Sequence, residues 1–126
     1  MRISAVAALV AFVLAACGSD PPPPRERQAR RPPQPACEQA RATLERQGRD
    51  GGILFDPSGE AMIERATWME LGDSGRDRIV ETLAVIAACG AETPQREVQV
   101  QVRDERGMVL TTRIVEPSTD FRAGGR

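Results

Sequence analysis

The strongest constraint on the fold is a strict alternation of apolar and polar residues in the last third of the chain. Valine alternates with glutamine or arginine over residues 98–103, and this period of two predicts a β-strand with one buried face. The next four residues, 104–107, predict a type I turn with Gly107 in a bulge. A second alternating strand follows and ends at Pro117, one face carrying Met108, Leu110, Thr112 and Ile114 and the other Val109, Thr111 and Arg113.

A shorter hairpin is predicted upstream. Ile53-Leu54-Phe55 is expected to form its first strand, and residues 60–66 its second. The intervening Asp56-Pro57-Ser58-Gly59 is typical of a turn, because proline presets the second turn position and glycine tolerates positive φ.

Two segments show helical periodicity. Residues 36–47 predict a first helix, with Gly48 as its stop signal. Residues 75–89 predict a second helix, which Gly90 caps. Its apolar face is formed by Ile79, Val80, Leu83, Ile86 and Ala87.

A short helical turn is predicted between the second hairpin strand and the second helix. Thr67 and Glu70 match a capping box, in which threonine is the N-cap and glutamate reaches back. Gly72 and Gly75 are expected to break this turn. Trp68, the single tryptophan, is interpreted as a core anchor at its start.

These elements predict an α+β domain over residues 36–117, in the order α-β-β-α-β-β. A four-stranded, mostly antiparallel sheet with both helices on one face buries every apolar stripe. Cys37 begins the first helix and Cys89 ends the second. In an oxidising compartment this pair predicts one disulfide that holds the helices as antiparallel neighbours. A redox role is disfavoured because the chain has no Cys-x-x-Cys motif.

The N-terminus carries an apolar run over residues 3–16, interrupted only by Ser4. Leu14-Ala15-Ala16-Cys17 at its end resembles the lipobox of bacterial lipoproteins. The resemblance implies that residues 1–16 are a signal peptide and that Cys17 receives a diacylglyceryl group and usually a third acyl chain. The run is too short to span a bilayer, which needs ~20 residues. In enteric-type bacteria, the lack of Asp directly after the cysteine implies the periplasmic face of the outer membrane; the inner membrane is the alternative.

Residues 17–35 are rich in proline and arginine and lack apolar periodicity, so we expect a disordered linker after the lipidated cysteine. Its proline runs favour extended polyproline II structure, which suits a spacer. Contact of its arginines with anionic envelope material is the alternative. Residues 118–126 are expected to form a disordered tail.

Composition argues against several classes of function. A net charge of −1 and an aromatic content of 3% offer neither a basic surface nor stacking platforms for nucleic acid. The chain has no histidine, which excludes Ser-His and Cys-His nucleophile pairs and Cys/His zinc sites. We therefore expect no metal and no cofactor.

The remaining residue patterns leave two functions open. Four short motifs occur in the folded part of the chain: Trp68-x-x-Leu71, Arg78-Ile79, Leu83-Ala84 and Val102-x-Asp104-x-x-Gly107-x-Val109-Leu110. Together they loosely resemble small uncharacterised bacterial envelope proteins. The leading hypothesis is a lipid-anchored, non-enzymatic module that binds or assists an envelope protein or cell-wall component. The alternative is a small envelope hydrolase that uses paired carboxylates, as glycosidases do, drawn from Glu60, Glu64 and Glu70.

The predicted partner surface is the polar face of the sheet or an exposed strand edge. Both helices are needed on the valine side of the 98–103 strand, so nothing is left to cover the opposite side. Bare strand edges also offer unpaired backbone groups to a partner strand. The residues expected on this face are Gln99, Gln101, Arg103, Thr111 and Arg113.

Overall fold

A computed structural model describes residues 29–121, which form an α+β fold with a four-stranded mixed sheet. The predicted Leu14–Cys17 motif lies outside the described residues, as do most of the predicted linker and the last five residues. The elements are α1 (Gln34–Gly51), β1 (Ile53–Phe55), β2 (Glu60–Ile63), α2 (Arg65–Glu70), α3 (Gly72–Gly90), β3 (Val98–Arg103) and β4 (Val109–Val115). The predicted element order, α-β-β-α-β-β, did not count α2 as a helix, because the sequence indicated only a short helical turn there.

The sheet has the strand order β1-β2-β3-β4. The two hairpins are antiparallel as predicted, but they join through β2 and β3, which run parallel. The expected mostly antiparallel sheet is therefore a mixed sheet. The reason is that the α2–α3 segment is a crossover connection, which returns the chain to the same end of the sheet, as parallel neighbours require.

The connection through α2 differs from the predicted capping box. The N-cap of α2 is Glu64, and no side chain caps it locally. Thr67 therefore lies inside the helix rather than at its N-cap. Gly72 has a φ of 66°, a left-handed conformation that glycine adopts without a steric cost, and this bend separates α2 from α3. Gly75 continues α3 and does not break it.

The core lies between the sheet and one helical layer. α3 crosses the middle of this layer, packs on α1 and contacts β3 and β4. Its apolar side chains Ile79, Val80, Leu83 and Ile86 are buried against the inward-facing valines of β3, at positions 98, 100 and 102. Trp68 is also buried, which confirms its interpretation as a core anchor.

The predicted disulfide between Cys37 and Cys89 is confirmed. It joins the first turn of α1 to the last turn of α3, with 5.9 Å between the two Cα atoms. The two helices are thus covalently linked at the end of the domain where the chain enters the fold.

Both ends of the described chain pack more closely than the sequence suggests. Arg31 donates hydrogen bonds from its guanidinium to the carbonyl oxygens of Ala91 (2.7 Å) and Glu92 (2.9 Å). Pro32 is buried, so the contacts of the fold begin before Ala36. Phe121 packs against the edge of the core.

Candidate functional site

The side of the sheet opposite the helices is exposed, and we name it the open face. Strand register assigns its members, because paired residues in neighbouring strands share a face. Met62 lies opposite both Leu54 and Arg103, and Gln99 lies opposite Ile114. The open face consists of Leu54, Glu60, Met62, Gln99, Gln101, Arg103, Val109, Thr112 and Ile114.

Only part of the predicted partner surface lies on the open face. Gln99, Gln101 and Arg103 are there, as expected. Thr111 and Arg113 instead lie opposite Val102 and Val100, on the helix side. The cause is an irregularity in the β3–β4 ladder at Val102/Arg103. Such a bulge adds one residue to a strand and thereby exchanges which side chains face the core.

Arg113 forms an ion pair and is therefore not the free surface cation that the sequence led us to expect. It pairs with Asp77 of α3 at the edge of the sheet. This contact ties β4 to the helical layer. The predicted five-residue surface is therefore divided between the two sides of the sheet.

The centre of the open face is a chain of hydrogen-bonded polar side chains. The amide of Gln101 donates to the hydroxyl of Thr112 at 3.4 Å, and its carbonyl oxygen accepts from Arg103 at 3.0 Å. The same guanidinium donates to the carbonyl oxygen of Gly107 at 3.2 Å. These bonds hold Arg103 across the end of the hairpin and fix the direction of its charge.

Apolar side chains flank this polar centre on both edge strands. Leu54 on β1 is 65% exposed and Ile114 on β4 is 72% exposed. Met62 and Val109 add further exposed apolar surface on the same face. A partner placed here would bury apolar area at the sides and meet oriented hydrogen-bonding groups in the middle, the combination found at protein interfaces.

A groove of about 470 Å³ runs along the β1–β2 side of the open face. Leu54 and Met62 contribute apolar surface to it, and carboxylates lie around it. We name it the acidic groove and define it by Leu54, Asp56, Glu60, Met62, Arg103, Asp104 and Glu105. Four carboxylates against one guanidinium in this lining make the groove complementary to a cationic segment that also carries apolar groups.

Asp56 shapes one end of the acidic groove through the turn that it begins. Its Oδ1 accepts hydrogen bonds from the backbone N–H of Ser58 at 2.8 Å and from the hydroxyl of the same residue. The hydroxyl bond is the main reason why the pKa of Asp56 lies below its usual range. The Asp-Pro-Ser-Gly motif thus fixes the turn as predicted and keeps a negative charge beside the groove.

The other end of the groove is built on Asp104, which is 2% exposed. Its Oδ1 accepts hydrogen bonds from the backbone N–H groups of Arg106 and Met108, each at 2.9 Å. Its Oδ2 accepts one from Arg65 Nε at 3.3 Å. Burial raises the pKa of Asp104, but these donors outweigh burial and hold the pKa below its usual range.

Glu105 completes this junction. Its Oε2 accepts a hydrogen bond from the backbone N–H of Arg65 at 2.8 Å, and this bond is the main cause of its lowered pKa. The sequence indicated a turn at 104–107 but not its contact with α2. An aspartate opening a turn is a signal for local hydrogen bonding; the long-range partner has no sequence signal.

The three glutamates of the hydrolase alternative occupy three different places. Glu60 begins β2 on the open face, Glu64 is the N-cap of α2, and Glu70 ends that helix.

Within residues 29–121, no group of three or more metal-ligating side chains is placed to hold a metal ion. The same described part of the chain contains no helix with the length and apolar character needed to cross a membrane.

Comparison of the chain with known protein families, with curated proteins and with solved structures found no match.

Proposed function

We propose that this protein is a lipid-anchored component of the bacterial cell envelope, and that its open face binds another envelope component. The anchor would be Cys17, on the resemblance of Leu14-Ala15-Ala16-Cys17 to a lipobox. Several acyl chains on one residue would make the attachment stable, because each buried methylene contributes ~0.8 kcal/mol. The proposal locates the domain at the periplasmic face of the outer membrane and describes a binding module, not an enzyme.

The observation that supports binding is the composition of the open face. Large apolar side chains are exposed on both edge strands, and the polar centre between them is pre-ordered by its own hydrogen bonds. Preordered side chains lose little entropy on association. Within the predicted surface, Gln99, Gln101 and Arg103 are the members that this proposal retains, because Thr111 and Arg113 lie on the helix side.

Site-specific photocrosslinking in the native envelope tests this proposal. A photoreactive residue replaces Gln99 on the open face or, as the matched control, Arg41 on the exposed side of α1. We expect a discrete covalent product from position 99 and not from position 41. The product should disappear when Leu54→Asp and Arg103→Glu are introduced together, since both side chains are exposed and their replacement spares the core.

Two results would contradict binding at the open face. One is an equal yield of the same product from positions 99 and 41. The other is a product from position 99 that persists at full yield in the Leu54→Asp, Arg103→Glu variant while the melting temperature is unchanged.

A further inference from the structure

The two edges of the sheet differ in what covers them. The strand order makes β1 and β4 the edge strands. β1 has three residues, and the carbonyl oxygen of Ile53 lies against α1, where a Cβ added to Gly48 would be 2.6 Å from that oxygen. β4 has seven residues and, within residues 29–121, no backbone hydrogen-bond partner outside β3. β4 is therefore a long edge strand whose outer side is unpaired in the described part of the chain.

The strand register determines which backbone groups of β4 point outward. Gln101 of β3 donates its backbone N–H to the carbonyl oxygen of Gly59, toward β2, at 3.2 Å. Successive residues of a strand direct their backbone groups to opposite sides, so the two neighbours of Gln101 bond to β4 instead. Their partners flank Thr112. Thr112 and Ile114 consequently direct their N–H and C=O groups away from the sheet.

The same two residues place their side chains on the open face. Ile114 is 72% exposed there, and the hydroxyl of Thr112 accepts the hydrogen bond from Gln101. A strand added beside β4 would bond to the outward backbone groups of both residues and widen the open face by one row of side chains. The unpaired edge and the open face are thus one continuous surface.

Arg113, between these two residues, distinguishes a second copy of this chain from a different partner. If Thr112 and Ile114 bonded reciprocally to the β4 of a second copy in antiparallel orientation, the two arginines would lie directly opposite each other. The Cα atoms at such a position are ~4.5 Å apart, and like charges there are destabilising. Registers centred on Thr112 or on Ile114 run into the bulge or past the end of the strand. The edge therefore suits a strand from a different protein.

Charge also specifies which residue fits opposite Arg113. A guanidinium carries five N–H donors, and the structure uses one of its nitrogens, Nη1, to bind Asp77. Opposite charges across a strand pair are stabilising, so an acidic residue of the added strand fits at this position. On the open face, an aliphatic or aromatic residue opposite Ile114 would bury apolar surface.

We propose that another envelope protein adds an extended segment to the outer edge of β4, bonded to the backbone of Thr112 and Ile114. The segment carries an acidic residue opposite Arg113 and an apolar residue opposite Ile114. This inference rests on the proposed function, because it names how the partner of the open face is held.

Proline at position 114 tests the backbone contact. Ile114→Pro removes an outward N–H that β3 does not use, and edge strands accept proline at such positions. Ile114→Ala is the matched control, because it also shortens the side chain but keeps the N–H. We expect the yield of the position 99 crosslink to be about tenfold lower in Ile114→Pro than in Ile114→Ala, as for one hydrogen bond lost from an interface. Equal yields from the two variants, with equal melting temperatures, would overturn the proposal.

A second measurement uses crosslinking positions and needs no proline. Thr111 and Thr112 are consecutive, and their side chains lie on opposite sides of the sheet. A strand beside β4 has side chains on both sides and reaches both positions, whereas a partner that lies only over the open face reaches Thr112. We expect a photoreactive residue at either position to give the product obtained from position 99. A product from position 112 without one from position 111 would overturn strand addition.

The acidic residue of the partner has its own pair of variants. Arg113→Gln and Arg113→Glu both remove the ion pair with Asp77, but glutamine keeps an N–H donor and glutamate places a like charge opposite the acidic residue. We expect a lower crosslink yield from Arg113→Glu than from Arg113→Gln. Equal yields would overturn the assignment of an acidic residue at this position.

The outcomes also separate this inference from the proposed function. A product of twice the mass of this chain would assign the edge to a second copy and overturn a different protein as the occupant. Absence of any product from positions 99, 111 and 112 would contradict the proposed function and strand addition together. A product from position 99 that is insensitive to Ile114→Pro would contradict strand addition alone.

Discussion

Glu105 accepts a hydrogen bond from the backbone N–H of Arg65 at 2.8 Å, so a side chain in the last hairpin satisfies a donor at the first residue of α2. Helix N-termini leave such donors without intrahelical partners, and no side chain near Glu64 supplies the cap. With the adjacent contact between Asp104 and Arg65, this bond joins the end of β3 to the start of the crossover.

This junction predicts that stability falls in acid. The pKa values of Asp104 and Glu105 lie below their usual values of 3.8 and 4.5. A carboxylate with a lowered pKa in the folded protein stabilises it above the unfolded pKa, and that contribution is lost as the pH falls through the folded pKa. We expect the melting temperature, followed by circular dichroism, to decrease from about pH 5 downward.

Asp104→Asn should flatten this decrease. An asparagine retains an oxygen that accepts the turn hydrogen bonds, but it has no proton to gain and no charge for Arg65. The expected result is a lower melting temperature at neutral pH and a smaller drop in acid. Asp50→Asn, which removes one exposed carboxylate from α1, is the control. An acid profile of Asp104→Asn as steep as that of the native chain would contradict this assignment.

The disulfide predicts a large loss of stability on reduction. Cys37 and Cys89 are 52 residues apart, and closing a loop of that length stabilises the folded state by about 4 kcal/mol in the chain-entropy model. Cys37→Ala with Cys89→Ala should lower the free energy of unfolding by a similar amount, measured in urea. A loss below about 1 kcal/mol would show that the reduced unfolded chain is already restricted.

Two leucines distinguish the core from the open face. Leu44 is fully buried on α1, and Leu54 is 65% exposed on β1. Leu44→Ala should lower the free energy of unfolding by about 2–5 kcal/mol, because it leaves a cavity. Leu54→Ala should change it by no more than about 0.5 kcal/mol. Comparable losses from the two variants, measured by urea unfolding, would mean that the open face is covered.

The proposed lipid anchor at Cys17 predicts that the mature protein differs from the encoded chain in mass and is found in the membrane fraction. Cys17→Ser should abolish acyl labelling and either release the domain from the membrane fraction or block its processing. Mass spectrometry of the native chain should show loss of residues 1–16 and addition of the lipid. Membrane retention and mass that are the same with and without the substitution would contradict the lipobox interpretation.

Local signals predicted most of the individual elements. Strand β1 has the predicted bounds, and the valine alternation of β3 gives the predicted buried face. The disulfide also followed from the positions of Cys37 and Cys89 at the ends of two helices. In each case the signal lies within one element or at its ends, where periodicity and turn residues act directly.

Contacts between distant segments could not be predicted in the same way. The parallel pairing of β2 with β3 depends on the crossover through α2 and α3. The side of the sheet on which Thr111 and Arg113 lie depends on one bulge. A shift of one residue in the strand register moves every side chain of that strand to the opposite side of the sheet. The acidic groove combines residues from both hairpins. Its carboxylates are therefore brought together by the sheet register, which no local pattern specifies.

The disulfide has a mechanical consequence. A pulling force applied between the two ends of the chain enters the fold before Cys37 and passes through the covalent bond directly to Cys89. The residues between them form a closed loop that bears none of the tension, and that loop contains α1 beyond its first turn, β1, β2, α2 and nearly all of α3. Of the residues that the structure describes, those before Cys37 and those after Cys89, which include β3 and β4, bear the tension and can lengthen, so the disulfide divides the domain into a shielded part and an extensible part.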